Sequence, residues 1–360
     1  MRDDVDQAEV LCDAVRRAAA AGEAVRIVGS GSKSSLTAGA AEASRPARLL
    51  SVSEHVGIVD YRPEELVVTA RAGTRLKTLE SVLAGAGQYL PFEPPRLHGG
   101  GTVGGAVACG LSGPGRPWRG AVRDAVLGVE LVNGRGERLR FGGQVMKNVA
   151  GYDLSRLQAG AFGTFGLMLA VSLKVLPVPE TEQGRVLALP PADALARCRA
   201  WSRRPLPISG LCWADGLLHV RLSGAASAVA AAAGEIGGDD EPDPRFWTGL
   251  RDLRLPQLAG PGLWRCVLPP AAPEPLDECL VNWGGAERWW RPRADDARVR
   301  AALAAAGGHG RPFDGSFGHR GAGTLAPLER RVSERLRAAF DPERRFNPEL
   351  TARPEETHAH

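Results

Sequence analysis

Glycine fills 18 of the 69 positions from His98 to Gly166, against a general background of about 7%. A backbone that dense in glycine must pass close to something that side chains would obstruct. Two runs carry most of it. The first is Gly99-Gly100-Gly101-Thr102-Val103-Gly104-Gly105, continuing to Gly110-Leu111-Ser112-Gly113-Pro114-Gly115; the second is Gly160-Ala161-Phe162-Gly163-Thr164-Phe165-Gly166. In the first, the interspersed Val103, Val107 and Ala108 argue for an ordered, buried loop rather than a flexible linker. Such a loop can lie flat along an extended cofactor, offering N–H groups and the Thr102 and Ser112 hydroxyls to phosphate and sugar. Upstream, Gly29-Ser30-Gly31-Ser32-Lys33-Ser34 follows a strand, where small residues let successive N–H groups converge on an anion.

None of these runs fits a standard nucleotide template. Ser32 stands where a phosphate loop has the glycine before Lys33. Ser34 occupies the third Rossmann glycine, and the thirteen residues before the next strand include Gly39 and Pro46, too few for a crossover helix. Taken singly, Gly29–Ser34 reads as a plain strand-to-loop turn, and the glycine spacing of Gly160–Gly166 means little. Three of them within one domain of roughly 180 residues point to one long cofactor threaded between two subdomains.

Around the loops the periodicities predict an α+β chain. Val10, Leu11, Ala14, Val15 and Ala18 recur at helical spacing, and a helix closes near Gly22. Strands are expected at 24–28, near 49–52 and over 65–70, then a helix opened by Thr74 with Leu76, Leu79, Val82 and Leu83 on one face. Residues 126–132 and 138–141 flank the hairpin signal Asn133-Gly134-Arg135-Gly136, and Leu167, Leu169, Val171, Leu173 and Val175 alternate as a half-buried strand. Past Pro177 the texture changes, with seven of the eight tryptophans lying there. Hairpin signals at Asp215-Gly216 and Gly284-Gly285 alternate with helical patterns at 192–203, 225–236 and 295–306, giving an antiparallel sheet with helices on it. Leu328, Val332, Leu336 and Phe340 step by four into a final helix, leaving Arg345-Phe346-Asn347-Pro348 as a structured tail. The expected division is 1–179 for the glycine-loop domain, 180–324 for a smaller cap, and 325–360 for the last helix and tail.

The composition excludes several classes of function. Basic residues number 45 against 41 acidic, a net charge of +4 with no basic run and no interleaved aromatics, so no nucleic-acid partner is expected. Cys12, Cys109, Cys198, Cys212, Cys266 and Cys279 form no C-x-x-C pair, so neither an iron–sulfur cluster nor a zinc site has its ligand spacing. The acidic start Met1-Arg2-Asp3-Asp4 is unlike a signal peptide, and no run reaches the length of a membrane span. These features read as a cytosolic chain with reduced thiols.

Further residues carry a resemblance. Pro91-Phe92-Glu93-Pro94-Pro95, Gly113-Pro114 leading to Arg116-Pro117-Trp118, the run from Phe141 through Lys147-Asn148-Val149-Ala150-Gly151-Tyr152-Asp153 to Leu154, and Leu173-Lys174-Val175-Leu176-Pro177 look like the FAD-binding fold of the vanillyl-alcohol oxidase and p-cresol methylhydroxylase type. Within that fold the chain resembles the FAD-binding subunits of bacterial glycolate oxidase. Pro207-Ile208-Ser209-Gly210-Leu211-Cys212 and Trp283-Gly284-Gly285-Ala286-Glu287-Arg288-Trp289 extend the likeness over nearly the whole chain. The resemblance implies a two-subdomain FAD-binding domain followed by a smaller α+β cap with an antiparallel sheet. It also implies that the pyrophosphate lies between Gly29, Ser30, Gly31, Ser32, Lys33 and Ser34 on one side and Thr102, Gly104, Gly105, Gly110, Ser112 and Gly113 on the other. The adenosine end would reach Gly163, Thr164 and Gly166, with Lys147, Asn148, Gly151 and Asp153 nearer the flavin, and Asn347 joins the set from the tail. Ser32 stands where covalently linked relatives often have histidine, which implies dissociable FAD. Glu349 departs from the glycine usual after such a tail.

The chemistry implied is oxidation of a 2-hydroxy acid, glycolate to glyoxylate. It needs a cation for the carboxylate and a base for the hydroxyl proton. His309 and Arg311 are the candidate pair, with His319-Arg320 a second; each also reads as surface loop. The family's complexes imply a sister flavin subunit and an iron–sulfur subunit as partners, and membrane contact only through them. Three readings stand open: a subunit of a glycolate-oxidising complex, a self-contained dehydrogenase for another hydroxy acid such as D-lactate, and a non-catalytic scaffold that keeps the fold.

Overall fold

The computed structural model describes residues 4–36, 46–143, 153–272, 280–313 and 327–351. The chain divides into two compact units. The first comprises Met1–Leu111, Ala121–Pro177 and Gly315–His360, and the second Ser112–Gly120 and Val178–Asp314.

In the first unit, helix α1 (Ala8–Ala20) buries Ala8, Leu11, Cys12, Val15 and Ala18. That stripe excludes Val10, which the periodicity placed on the same face and which is 59% exposed. The helix packs beside strand β1 (Ala24–Val28), which pairs in parallel with β2 (Ala47–Ser51). A second, five-stranded sheet contains β3 (Ile58–Arg62), β4 (Val67–Arg71), β5 (Val126–Val132), β6 (Arg138–Gly142) and β7 (Leu167–Lys174). Its order is β3-β4-β7-β5-β6, antiparallel throughout. Because β7 is central, Met168 and Ser172 are buried as well as the alternating leucines and valines, so the strand expected to be half-buried is covered on both faces.

Helices α2 (Leu76–Gly85) and α3 (Val103–Cys109) cover one face of this sheet through Leu76, Leu79, Leu83, Val103 and Val107. Thr74 does not cap α2. Its hydroxyl accepts from the Gly57 N–H and donates to the Gly57 carbonyl, both at 3.0 Å, fixing the approach to β3 instead. Helix α3 corrects the expectation of a flat loop over residues 99–115. Thr102 takes the N-cap position and accepts from the Gly105 N–H at 3.1 Å, which starts a helix inside the glycine run. Gly104 lets that helix dock, since a Cβ there would stand 2.8 Å from the Cβ of Ala72.

The second unit is an eight-stranded antiparallel sheet with helices on both faces. Its elements are β8 (Thr181–Ala188), α4 (Pro191–Trp201), β9 (Ile208–Ala214), β10 (Leu217–Gly224), α5 (Ala226–Ile236), α6 (Phe246–Arg251), β11 (Trp264–Val267), β12 (Leu280–Asn282), β13 (Glu287–Trp290), α7 (Asp296–Ala305) and β14 (His309–Pro312). From the two-residue strand Asp239–Asp240 the order runs β8-β10-β9-β12-β13-β11-β14. Asp215 and Gly216, with φ of 49° and 82°, make the two-residue turn between β9 and β10. Helices α4 and α5 pack on Leu218, Val220 and Leu222, while α6 covers Cys212 and Ala214 on the other side.

The C-terminal helix (Pro327–Phe340) belongs to the first unit, where Phe340 meets Phe141 and Phe165 at ring separations of 5.8 and 6.2 Å. Of the apolar residues stepping by four along it, Leu328 and Val332 are exposed and only the Leu336–Phe340 end reaches the core.

Candidate functional site

Strand β1 ends against the glycine loops of the first unit. The run 29–34 leaves the strand, and Gly29 passes so close to α3 that a Cβ on it would lie 2.6 Å from the Thr102 hydroxyl. His98, in left-handed backbone at φ 52°, brings its Nδ1 within 3.0 Å of the Ser32 carbonyl oxygen, and Ser30 Oγ donates to Ser32 Oγ at 3.2 Å. Lys33 is buried beside Gly101. The third glycine run docks on the end of α3, with the Gly160 N–H donating to the Val107 carbonyl at 3.0 Å and the Phe162 N–H to the Ala108 carbonyl at 2.8 Å. The tail closes the ring: the Asn347 side chain accepts from the Ile27 N–H at 2.8 Å and donates to the Phe162 carbonyl at 2.6 Å.

Together these segments line a cavity of about 380 Å³ bounded by residues 26–34, Thr102, Gly105, Ala108, Cys109, Phe162, Asn347 and Leu350. A narrower space of about 70 Å³ shares Ile27, Gly29, Gly105, Ala108, Phe162 and Asn347 with it and adds Gly104, Gly163 and Gly166. The donor set is backbone N–H from a glycine–serine loop, serine and threonine hydroxyls, and one lysine ammonium. That set fits an extended phosphate–ribose group, because clustered N–H dipoles and a cation satisfy the pyrophosphate while hydroxyls suit the sugars. Where Gly29, Gly31, Gly104, Gly105, Gly163 and Gly166 line the walls, a ligand can reach the backbone directly.

The sequence-expected residues are placed unevenly. Gly29, Ser30, Gly31, Ser32, Lys33, Ser34, Thr102, Gly104, Gly105, Gly163, Gly166 and Asn347 line one or both spaces. Gly110 ends α3 in left-handed backbone. The Thr164 hydroxyl donates within its own turn, to the Ala161 carbonyl at 2.7 Å. Ser112 and Gly113 fall in the second unit, where the Gly113 carbonyl accepts from Trp283 Nε1 at 3.0 Å. Asp153 is a turn-former: burial raises its carboxyl pKa, but bonds from Ser155 Oγ at 2.6 Å and the Arg156 N–H at 3.2 Å prevail and hold it below the usual carboxylate range. Lys147, Asn148, Gly151 and the pair His319-Arg320 lie outside the described residues.

In the second unit His309 and Arg311 share one face of the edge strand β14, His309 exposed and Arg311 half-buried. Register sets Arg311 opposite Arg265 on β11. Arg265 Nε donates to Glu287 Oε1 at 2.7 Å, and Asn282 Nδ2 donates to Glu287 Oε2 at 2.9 Å. The guanidiniums of Arg265 and Arg116 lie 5.3 and 4.4 Å from the Trp283 ring, itself held at φ 53°. Sequence reading missed this buried polar row of Asn282, Glu287 and Arg265. Its only signal was the Trp-Gly-Gly turn, which fixes the β12–β13 register that aligns them. Among the described residues no group of three His, Cys, Asp or Glu could hold a metal ion, and no helix is long and apolar enough to cross a membrane.

A family model described as FAD binding domain matches residues 5–142. Glycolate oxidase subunit GlcE of Escherichia coli (strain K12) is 43% identical over 351 residues, covering 95% of this chain and 97% of that protein. Glycolate oxidase subunit GlcD of Bacillus subtilis (strain 168) is 31% identical over 140 residues, 39% of this chain and 30% of that protein. Among solved structures, alkyldihydroxyacetonephosphate synthase superposes with a TM-score of 0.65 at 15% identity, over 93% of this chain and 73% of that one. That last likeness is one of fold.

Proposed function

Because the chain belongs to the family of glycolate oxidase subunit GlcE, we propose that it is the FAD-binding subunit of a glycolate-oxidising complex. Its cofactor is FAD. The observation that carries the reading is the convergence of three separate glycine runs on one cavity whose donors suit a pyrophosphate. We assign residues 29–34, Thr102, Gly105, Gly163 and Gly166 to holding FAD, with Lys33 supplying positive charge and no covalent link.

FAD supplies a hydride acceptor for the carbinol carbon of the hydroxy acid. The chain's own part is to bind, orient and deprotonate. Arg311 presents a planar fork to the substrate carboxylate, and the His309 imidazole takes the hydroxyl proton. Their alternation along β14 supports the pairing, since residues two apart on a strand project to one side. Electrons then pass to an iron–sulfur partner beside a sister flavin subunit, and the complex works in the cytoplasm, with any membrane contact made by a partner.

The test is the visible spectrum of the purified chain before and after acid denaturation, followed by addition of glycolate. A two-banded flavin spectrum released into solution, and bleached by glycolate once the partners are added, is the expected result. Bleaching by the isolated chain with D-lactate but not glycolate would favour the self-contained dehydrogenase. A protein that stays colourless with added FAD would leave only a scaffold.

A further inference from the structure

The tail of the first unit does more than follow the last helix. It runs beside β1: the Val25 N–H donates to the Arg345 carbonyl at 2.8 Å, and the Asn347 N–H donates to the Val25 carbonyl at 2.8 Å. One step further along β1 the partner changes from backbone to side chain, as the Ile27 N–H donates to Asn347 Oδ1 at 2.8 Å. The same carboxamide spends its N–H on the Phe162 carbonyl at 2.6 Å. Asn347 therefore bridges the strand that feeds the first glycine run to the turn that forms the third. It is 5% exposed, and a Cβ on Gly163 would stand 3.0 Å from its Nδ2.

The tail is itself held rigid, so this bridge is a fixed length. The Asp341 carboxylate, fully buried, accepts from the Arg345 N–H at 2.9 Å and the Phe346 N–H at 2.8 Å. Arg337 Nη2 donates to the Phe346 carbonyl at 2.8 Å, and the Phe346 ring is fully buried in the core around α1 and β1. Asn347 sits at φ 43°, a left-handed conformation that asparagine tolerates better than most residues. A side chain of this length, with an acceptor and a donor on one planar group, is what the two backbone groups require.

We propose that Asn347 is a positioning residue of the FAD site. It sets the separation between the end of β1 and the turn at Phe162, and so the width of the cavity it lines, by acting through Ile27 and Phe162. This inference rests on the reading that the cavity holds FAD.

The test compares FAD affinity of apoprotein reconstituted from wild type, Asn347→Gly, Asn347→Asp and Ala108→Trp, by quenching of flavin fluorescence. Circular dichroism and melting of each apoprotein are followed alongside. Glycine accepts the left-handed backbone and removes both side-chain bonds. Asn347→Gly should weaken FAD binding at least tenfold, about 1.4 kcal/mol. Aspartate keeps the acceptor for the Ile27 N–H but sets a carboxylate against the Phe162 carbonyl, so its affinity should fall between the two. An Asn347→Gly protein that melts earlier yet binds FAD as wild type would make the residue merely structural and overturn the proposal. Should Asn347→Gly fail to fold, wild-type affinity in Asn347→Asp would overturn it equally. Ala108→Trp fills the cavity shared by both spaces. If that variant binds FAD normally, the placement of FAD fails, whereas lost binding there with unchanged Asn347→Gly defeats the positioning role alone.

Discussion

The same substitution, glycine to alanine inside a helix, should have opposite signs at Gly104 and Gly234. In a free helix the change is favourable by about 0.8–1 kcal/mol, because alanine loses less backbone entropy. At Gly234 in α5 a new Cβ meets nothing within 4 Å, so that gain should appear undiminished. At Gly104 in α3 the new Cβ would lie 2.8 Å from the Ala72 Cβ and 3.1 Å from its carbonyl oxygen, while the Gly104 N–H already donates to that oxygen at 2.8 Å. The neighbour is strand-end backbone that cannot swing away, and overpacking of this kind costs about 1–3 kcal/mol. The expected net is a loss of roughly 0–2 kcal/mol in the first unit against a gain near 1 in the second. All eight tryptophans belong to the second unit, so their fluorescence follows its urea unfolding. Flavin release on heating follows the first unit. Gly104→Ala should release flavin at lower temperature with the tryptophan transition unmoved, and Gly234→Ala should shift the tryptophan midpoint upward. Gly104→Ala protein that holds flavin to a higher temperature than wild type would refute the docking argument.

Two further outcomes are expected. Arg311→Lys keeps the charge but loses the planar fork, and removing a charge-assisted bond of about 1.5–3 kcal/mol should lower kcat/KM for glycolate roughly tenfold to a hundredfold in the assembled complex; an unchanged value would remove Arg311 from the substrate site. His55 is buried where burial pushes its pKa below the ordinary 6.5, overriding the nearby Asp6 carboxylate, and its Nδ1 accepts from the Gln7 N–H at 3.0 Å. The unfolded chain therefore takes up the proton first as pH falls. Stability of the first unit should be full above pH 6.5 and decline as pH falls from there through the lower folded value. Thermal melts of His55→Gln from pH 7.5 to 5 should show a flatter profile than wild type, and parallel profiles would count against this linkage.

What the sequence disclosed and what it hid follow from the range of the interactions. The turn at Asp215-Gly216 and the alternation over Leu167–Lys174 are local signals, and the strands formed where those signals stood. The glycine runs were legible as a cofactor-type feature because so many glycines in one stretch have few other uses. Helix α3 inside the run that starts at Gly99 was not, since glycine propensity argues against a helix and what stabilises it is the Thr102 cap and packing on Ala72 and the core. Strand β3 escaped because Ile58-Val59-Asp60-Tyr61-Arg62 has no clean alternation and an edge strand needs none. The polar row of Asn282, Glu287 and Arg265 depends on register between strands, which no single segment encodes.

The position of Asn347 bears on the order in which the molecule can be made. A ribosome that has delivered residues through Pro177 has produced every glycine run, yet the Ile27 N–H and the Phe162 carbonyl still await their partner. At about 5–20 residues per second the missing asparagine, 170 residues further along, arrives roughly 10–30 s later. The second unit is translated in that interval. If Asn347 sets the width of the cavity, tight flavin capture waits for the tail, and nascent polypeptides stalled before it should hold FAD more weakly than the full chain.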